Sequence, residues 1–283
     1  MDRVIPHVRQ LPATPDLAPY VHRFMHGVSE SPGELRIPPT GGIFLSYVVG
    51  SPLIVHFNER VYDRSLRLFL GGQLCKERPV LRSEGRFELI GAELTPTGYY
   101  KLFHRPANHL TDSIADLSEI HPDAATQLEC HLKGACELSD IIASLEQGLS
   151  HLACTAITAP VVEAIIEEIH CRNGVVRVAD LCRKQGISTR RIRRYFEHAV
   201  GVSPKHFAKI CQLNSVIRAM KEADGERLRS LALDHGFYDQ AHFIHDFQSL
   251  VAMDPSGFLR DSSPFLRTYL GNASRLRSRA DSL

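Results

Sequence analysis

None of the seven cysteines (Cys75, Cys130, Cys136, Cys154, Cys171, Cys182 and Cys211) forms a CxxC pair, which removes the paired-thiol signature of a redox motif or a zinc ribbon. An odd set of thiols, several on apolar helical stripes, reads as reduced cysteine used as a small hydrophobe. A long apolar run is also missing. The greasiest stretch, Gly41 to Phe57, is broken by Gly50, Ser51 and Pro52, and the opening MDRVIPHVRQ has no apolar h-region. The expectation is a cytoplasmic chain that neither spans a membrane nor is exported. The sequence also lacks GxGxxG, GxxxxGK[ST] and GxSxG, so hydride transfer, nucleotide hydrolysis and esterase chemistry have no residues to rest on. It has no HxH pair of the kind a metal-binding β-barrel uses. His22 and His26 would share a helix face, but no HExxH glutamate stands between them, and a structural or interfacial pair is the simpler reading. No catalytic residues, no cofactor and no metal are expected.

What is present is enough for about two domains: 283 residues, 43% apolar and 23% charged. The overall charge of +1 conceals a division, because residues 1–158 carry 14 Lys/Arg against 18 Asp/Glu, whereas residues 159–283 carry 19 against 14. The second half is the basic one, net +5 against −4. That sign suits contacts to phosphates.

The most patterned stretch is Val176 to Pro204. Val178, Leu181 and Cys182 fall at helical spacing, Gly186 breaks the pattern, and Ser188 offers an N-cap to a second stripe of Ile192, Tyr195, Phe196, Ala199 and Val200. Off that stripe Arg190, Arg193 and Arg194 share a face, since positions three and four apart are neighbours on a helix. Helix, glycine turn and cationic helix make a unit of the size that enters the major groove, where arginine can grip guanine bidentately. An ordinary helical hairpin with solvated arginines is the alternative. A second copy bears on that choice. Leu228, Leu231, Ala232 and Gly236 repeat Val178, Leu181, Cys182 and Gly186, and Phe243, Phe247 and Pro255 follow for Ile192, Phe196 and Pro204 after a one-residue insertion. Between the copies, Pro204 to Ala223 reads as one connecting helix.

These residues resemble the AraC/XylS-type bacterial transcriptional regulators over about a hundred positions, Pro160 to Arg260. The similarity is carried by GVSPKHF (Gly201 to Phe207), HGFYDQAHFIHDF (His235 to Phe247) and MDPSGFLR (Met253 to Arg260). The chain departs from the family pattern at Gln212, Ala219 and Ala252, and its second recognition helix offers Gln240, His242, Ile244 and His245 where many relatives have an arginine. The resemblance implies a DNA-binding transcription activator with two helix-turn-helix motifs over 159–262, a sensor domain over 1–158 that binds a small-molecule effector and forms the homodimer, and contact with RNA polymerase. Residues 263–283 read as a tail. The DNA-contacting residues implied are Thr189, Arg190, Arg193 and Arg194, then Gln240, His242 and His245. The first half is also similar to an uncharacterised regulator-associated sensor type at PDLAPYV (Pro15 to Val21) and GAELTPTGYYKLF (Gly91 to Phe103).

Read from its own residues, that first half opens with a proline-rich wrapping arm to about residue 40 with a helix from Leu17 to Phe24. A hairpin follows (Ile43 to Val49 and Leu53 to Phe57), then short strands at Leu66 to Leu70, Val80 to Leu81 and Phe87 to Leu94. After Thr95 helices are expected at 98–103, 115–117, 123–132 and 138–152. The fold class is α+β, a β-barrel or jelly-roll-like sensor with a helical hairpin, joined to an all-α domain. Leu128, Leu132, Leu138, Ile141, Ile142, Leu145 and Leu149 exceed one packing face, which points to homodimerisation through the hairpin. Arg60, Tyr62, Arg64 and Arg67, with Lys76, Arg78, Arg82 and Arg86 after them, suggest a site for an anionic metabolite or cyclic nucleotide; pairing with Glu59, Glu77, Glu84 and Glu88 is the alternative. An enzyme with a basic appendage and a DNA-binding module without effector control complete the function classes.

Overall fold

Buried and half-buried positions alternate along Leu53–Phe57, a strand with one face on a core, whereas Val21–Ser29 and Phe87–Leu94 are buried almost throughout, as strands covered on both faces are. The computed structural model describes residues 7–57, 60–76, 78–220, 227–261 and 264–271, and among these it forms two antiparallel sheets. The larger runs in the order β1 (His7–Pro12), β2 (Val21–Ser29), β9 (Phe87–Leu94), β4 (Phe44–Gly50), β7 (Leu68–Gly71), β10 (Ile114–Asp116). The smaller runs β3 (Gly33–Arg36), β8 (Val80–Ser83), β5 (Leu53–Phe57), β6 (Arg60–Leu66). Met25, Val48, Phe69 and Phe87 of the larger sheet share one buried cluster with Leu35, Val55, Phe57 and Leu81 of the smaller. The sheets therefore face each other, and each ends in an edge strand, so the expected barrel does not close into a cylinder.

The larger sheet's other face is covered by helices. These are α1 (Gly98–Phe103), α2 (Leu117–Ile120), α3 (Pro122–Leu132) and α4 (Leu138–Ala153). Leu128, Leu145 and Leu149 of the α3–α4 hairpin join Leu45, Leu70 and Ile90 in a second cluster. Leu132, Ile141 and Ile142 are buried there too and Leu138 packs against it, so the apolar stripe taken for surplus surface faces inward.

Four local readings need correction. The helix expected over 17–24 is a pair of turns ending at Tyr20, where Val21 starts β2; Pro19 cannot donate to a helix and the aromatic and β-branched residues beyond it fit a ladder. The wrapping arm supplies β1, β2 and β3, integral strands of both sheets. Strands β4 and β5 are not a hairpin. β4 is held by β7 and β9 and β5 by β6 and β8, while Gly50 at φ 90° turns the chain from one sheet to the other. Of the helix expected at 115–117, Ala115 and Asp116 lie on an edge strand, β10, and only Leu117 is helical, as the first residue of α2.

The C-terminal part is helical: α5 (Pro160–Cys171), α6 (Val178–Lys184), α7 (Thr189–Val200), α8 (Pro204–Met220), α9 (Arg227–Asp234), α10 (Gln240–Val251), α11 (Pro255–Asp261) and α12 (Pro264–Gly271). Helix α8 is its axis. Phe207, Ile210, Leu213, Val216, Ile217 and even Asn214 and Ser215 are buried, as expected of a helix covered on all sides. The two halves interlock. Asn214 Nδ2 donates to the Thr40 carbonyl (3.1 Å), Lys101 Nζ pairs with Glu163 (2.7 Å), and the Thr111 hydroxyl donates to the Gly201 carbonyl. Helix α12, within the stretch read as a tail, lies on the larger sheet: Arg23 Nη2 donates to the Tyr269 carbonyl (2.9 Å) while its Nε holds Glu93 (2.6 Å), and Tyr269 stacks on Phe44 with centroids 5.3 Å apart.

Helix α10 ends on Ala252 at φ 60°, ψ 22°, a left-handed conformation that costs a residue with a Cβ about 1–2 kcal/mol. Ala252→Gly is therefore expected to stabilise the chain by about 1 kcal/mol, read as a higher urea midpoint at unchanged slope.

Candidate nucleic-acid interface and internal cavity

The turn before α7 is fixed by Gly186 at φ 64°, and the helix is capped at both ends, by the Ser188 hydroxyl accepting from the Arg191 N–H and by Gly201 at φ 94°. One side buries Ile192, Phe196, Ala199 and Val200. The other exposes Thr189, Arg190, Arg191, Arg193 and Arg194 to solvent. The structure brings the predicted residues of the first helix-turn-helix, the first of two reading heads, onto one surface and adds Arg191, which a face count starting from Arg190 passes over although the run RRIRR contains it. Arg193 pairs with Glu197 (2.8 Å), one turn on. The guanidinium carbons of Arg191 and Arg194 lie 5.2 and 5.6 Å from the Tyr195 ring centre, and Arg191 Nε donates to its hydroxyl (2.8 Å), an interaction that lowers the phenol's pKa. Tyr195 thus orders two cations on the exposed face.

The second head differs in chemistry. Asp239 caps α10 by accepting from the His242 N–H (2.7 Å), and Gln240, His242 and His245 are exposed while Ile244 is half-buried. Behind them Asp246 is 4% exposed and meets Lys209 of α8 at 2.6 Å, with His242 Nε2 and His245 Nδ1 each 3.4 Å from its oxygens. One carboxylate thus neutralises Lys209 and orients both imidazoles, so this face offers hydrogen bonds more than fixed charge. Tyr238, 88% exposed just ahead of α10, is a further candidate contact that charge patterning could not reveal. The side chain of Leu228 on α9 lies outside the described residues.

In the N-terminal part, Arg60, Tyr62 and Arg64 fall on β6 with backbone register Phe57 to Arg60 and Val55 to Tyr62, but their side chains lie outside the described residues. Arg67 is exposed in the short link between β6 and β7. Arg82 pairs with Glu34 (2.6 Å), Arg86 with Glu30 and Glu88 (3.0 and 2.7 Å), and Arg78 donates to the Leu250 carbonyl (2.8 Å). His26 meets Glu88 at 2.9 Å. Among the described residues no three His, Cys, Asp or Glu side chains gather as metal ligands, and no helix is long and apolar enough to cross a membrane.

Between the two sheets lies a cavity of about 80 Å³ that sequence reading did not locate. Met25, Phe44, Phe57, Phe69, Leu81 and Tyr269 are among the residues that line it, and its described lining includes no charged side chain. Gln73, Ser46, Ser113 and Thr40 supply the polar groups. Closing such a space required strands distant in sequence and a ring from α12.

Residues 181–261 match a family described as "Helix-turn-helix domain", and residues 9–116 match a "Domain of unknown function" family. No curated protein matches the chain. Among solved structures, ToxT from Vibrio cholerae O395 bound to (E)-4-(8-methylnaphthalen-1-yl)but-3-enoic acid is 17% identical, with 84% of this chain and 98% of that one covered and a TM-score of 0.50. An apo ToxT variant from Vibrio cholerae strain SCE256 is 14% identical, with 84% and 97% covered and the same TM-score. Unsaturated fatty acid bound wild-type ToxT from that strain is 13% identical over 83% of this chain and 94% of that one, at TM-score 0.48. The ToxT likeness at TM-score 0.50 extends through both halves and shows a shared two-part fold. The chain carries at its C-terminus a helix-turn-helix domain of the AraC/XylS type.

Proposed function

We propose that this chain is a sequence-specific transcriptional regulator whose hold on DNA is set by a small molecule in the cavity between its N-terminal sheets. The observation that carries the DNA half is α7, a capped helix with an apolar back and four exposed arginines beside a tyrosine that orders two of them. In this reading Arg190 and Arg194 contact base edges, Thr189, Arg191 and Arg193 bind phosphates, and Gln240, His242 and His245 add hydrogen bonds in a second groove.

The effector half is supported by a built, largely apolar space next to the domain junction, and by a ToxT relative of the same fold that is bound to an aromatic butenoic acid. The described lining favours a small apolar ligand over the anionic metabolite or cyclic nucleotide that the arginine-rich stretch suggests, because a charge buried without a partner is strongly disfavoured. A homodimer would have to use surfaces other than the inward-facing stripe of α3 and α4.

The experiment is fluorescence anisotropy on the chain's own upstream DNA, with and without small aromatic alcohols and acids, for the wild type and Gly71→Val. Gly71 lines the cavity on β7, and a Cβ there would meet nothing within 4 Å, so a valine side chain starts out into open space. The variant is expected to bind DNA as the wild type does and to ignore every compound that shifts the wild type. Equal responses from both proteins would refute the cavity as the effector site.

A further inference from the structure

Gln73 lies in the segment between β7 and β8, 1% exposed, and is one of the residues that line the cavity. Its Nε2 donates to the Gly41 carbonyl at 2.7 Å. A carbonyl can only accept, so this bond sets the amide's orientation and leaves Oε1 as the group turned elsewhere. That oxygen is buried and has no hydrogen-bond partner among the described residues. Buried amide oxygens are nearly always satisfied, and one left over on a residue that lines an otherwise apolar, ligand-sized space marks where a donor on a bound molecule is wanted.

We propose, building on the cavity reading above, that Gln73 is the residue that recognises the effector, and that the effector is a compact, largely apolar molecule carrying a hydroxyl or N–H that donates to Gln73 Oε1. The size follows from the space: at roughly 10–15 Å³ for each water-sized centre, the cavity holds a handful of waters or a ligand of about one or two rings. The polarity follows from the lining, apolar apart from a few hydroxyls and this amide. The sign follows from Oε1 itself, since a carboxylate or an ether has no proton to give it. Gln73 is also placed to report what it binds. Its Cγ would stand 3.2 Å from a Cβ on Gly201, the residue that caps α7, and its partner Gly41 packs on Phe207 of α8, whose ring carbon would lie 3.1 Å from a Cβ there. The ligand contact is thus one side chain away from the first recognition helix and from the axis between the two heads.

The test uses two matched pairs, phenol with anisole and 1-naphthol with 1-methoxynaphthalene, which differ in having or lacking the donor. Binding to the full chain is measured by isothermal titration. In the wild type each alcohol is expected to bind about tenfold or more tightly than its methyl ether. In Gln73→Met, similar in length but without the amide, the preference should fall to within about twofold. Gly71→Val, which keeps Gln73 and fills the space, should bind none of the four. Because the alcohol-to-ether ratio is read on the wild type, the proposal stays exposed even if Gln73→Met does not fold. Equal binding of alcohol and ether, lost in Gly71→Val, would overturn the role of Gln73 while leaving the cavity as the effector site. Binding that persists in Gly71→Val would overturn the cavity reading and this proposal together.

Discussion

Replacing Arg190 and Arg194 together by alanine is expected to weaken binding to the regulated upstream DNA by about a hundredfold or more at fixed salt. Both side chains are exposed on α7, four positions apart and therefore one above the other on the same face. A bidentate arginine contact to a guanine contributes about 1–3 kcal/mol of discrimination, and losing two of them from one helix reaches about a hundredfold even without full additivity between such close neighbours. Arg193→Ala should cost less, because Arg193 is already engaged by Glu197 at 2.8 Å and in the proposed reading serves as a charge near phosphate. The same scale separates the alternatives: loss of one phosphate contact lowers affinity for all sequences alike and reduces the salt slope by about one, whereas loss of a base contact falls on the specific site. Anisotropy titrations at several salt concentrations, with the fold checked by circular dichroism, give both numbers. A double variant within about twofold of the wild type would show that α7 does not read DNA.

The second large effect concerns acid. His170 on α5 packs its ring on Phe207 with centroids 5.5 Å apart, and although one edge of the residue stays partly exposed, both ring nitrogens are buried without a hydrogen-bond partner among the described residues. Burial first, then the charges of His22 and Arg218, lower its pKa to about 4. In the unfolded chain an imidazole titrates near ~6.5. The unfolded state therefore takes up the proton first. Stability is full above about pH 6.5, falls as pH drops from there to about 4, and levels off below, by roughly 2–3 kcal/mol in total from this residue. His121, lowered to about 4 chiefly by burial against Tyr99 and Phe103, adds a fall in the same window. His170→Phe should keep the ring stack and flatten the wild type's decline between pH 7.5 and 4.5, measured by urea unfolding at each pH. A variant that loses stability as steeply as the wild type would contradict this account.

Where pattern is local, the sequence reading transferred well. Gly186, Ser188 and the Ile192–Phe196 stripe define α6, α7 and the turn between them from residues within one short window, and the second copy follows suit. The strand run Phe87 to Leu94 and the helix Gly98 to Phe103 are equally self-contained. Errors arose where partners are remote. Nothing in GSP between β4 and β5 tells a hairpin from a crossing between sheets, because the deciding ladders are made with β7, β8 and β9. The α3–α4 leucines looked surplus only because the face of the larger sheet that they cover cannot be seen in a helical wheel. The cavity was invisible for the same reason: its wall includes Val8 from the first described strand and Tyr269 from the last described helix. Gln73 carries no motif, and only a satisfied Nε2 beside an unsatisfied Oε1 singles it out.

The central claim is that the basic C-terminal module reads sequence rather than merely binding charge. Its most direct measurement is the ratio of affinities for the upstream fragment and for a scrambled fragment of equal length and composition at 150 mM salt. The account predicts a wild-type preference of about a thousandfold or more, most of it lost in Arg190→Ala/Arg194→Ala. Equal affinity for the two fragments in the wild type, falling in step as salt is raised, would contradict it.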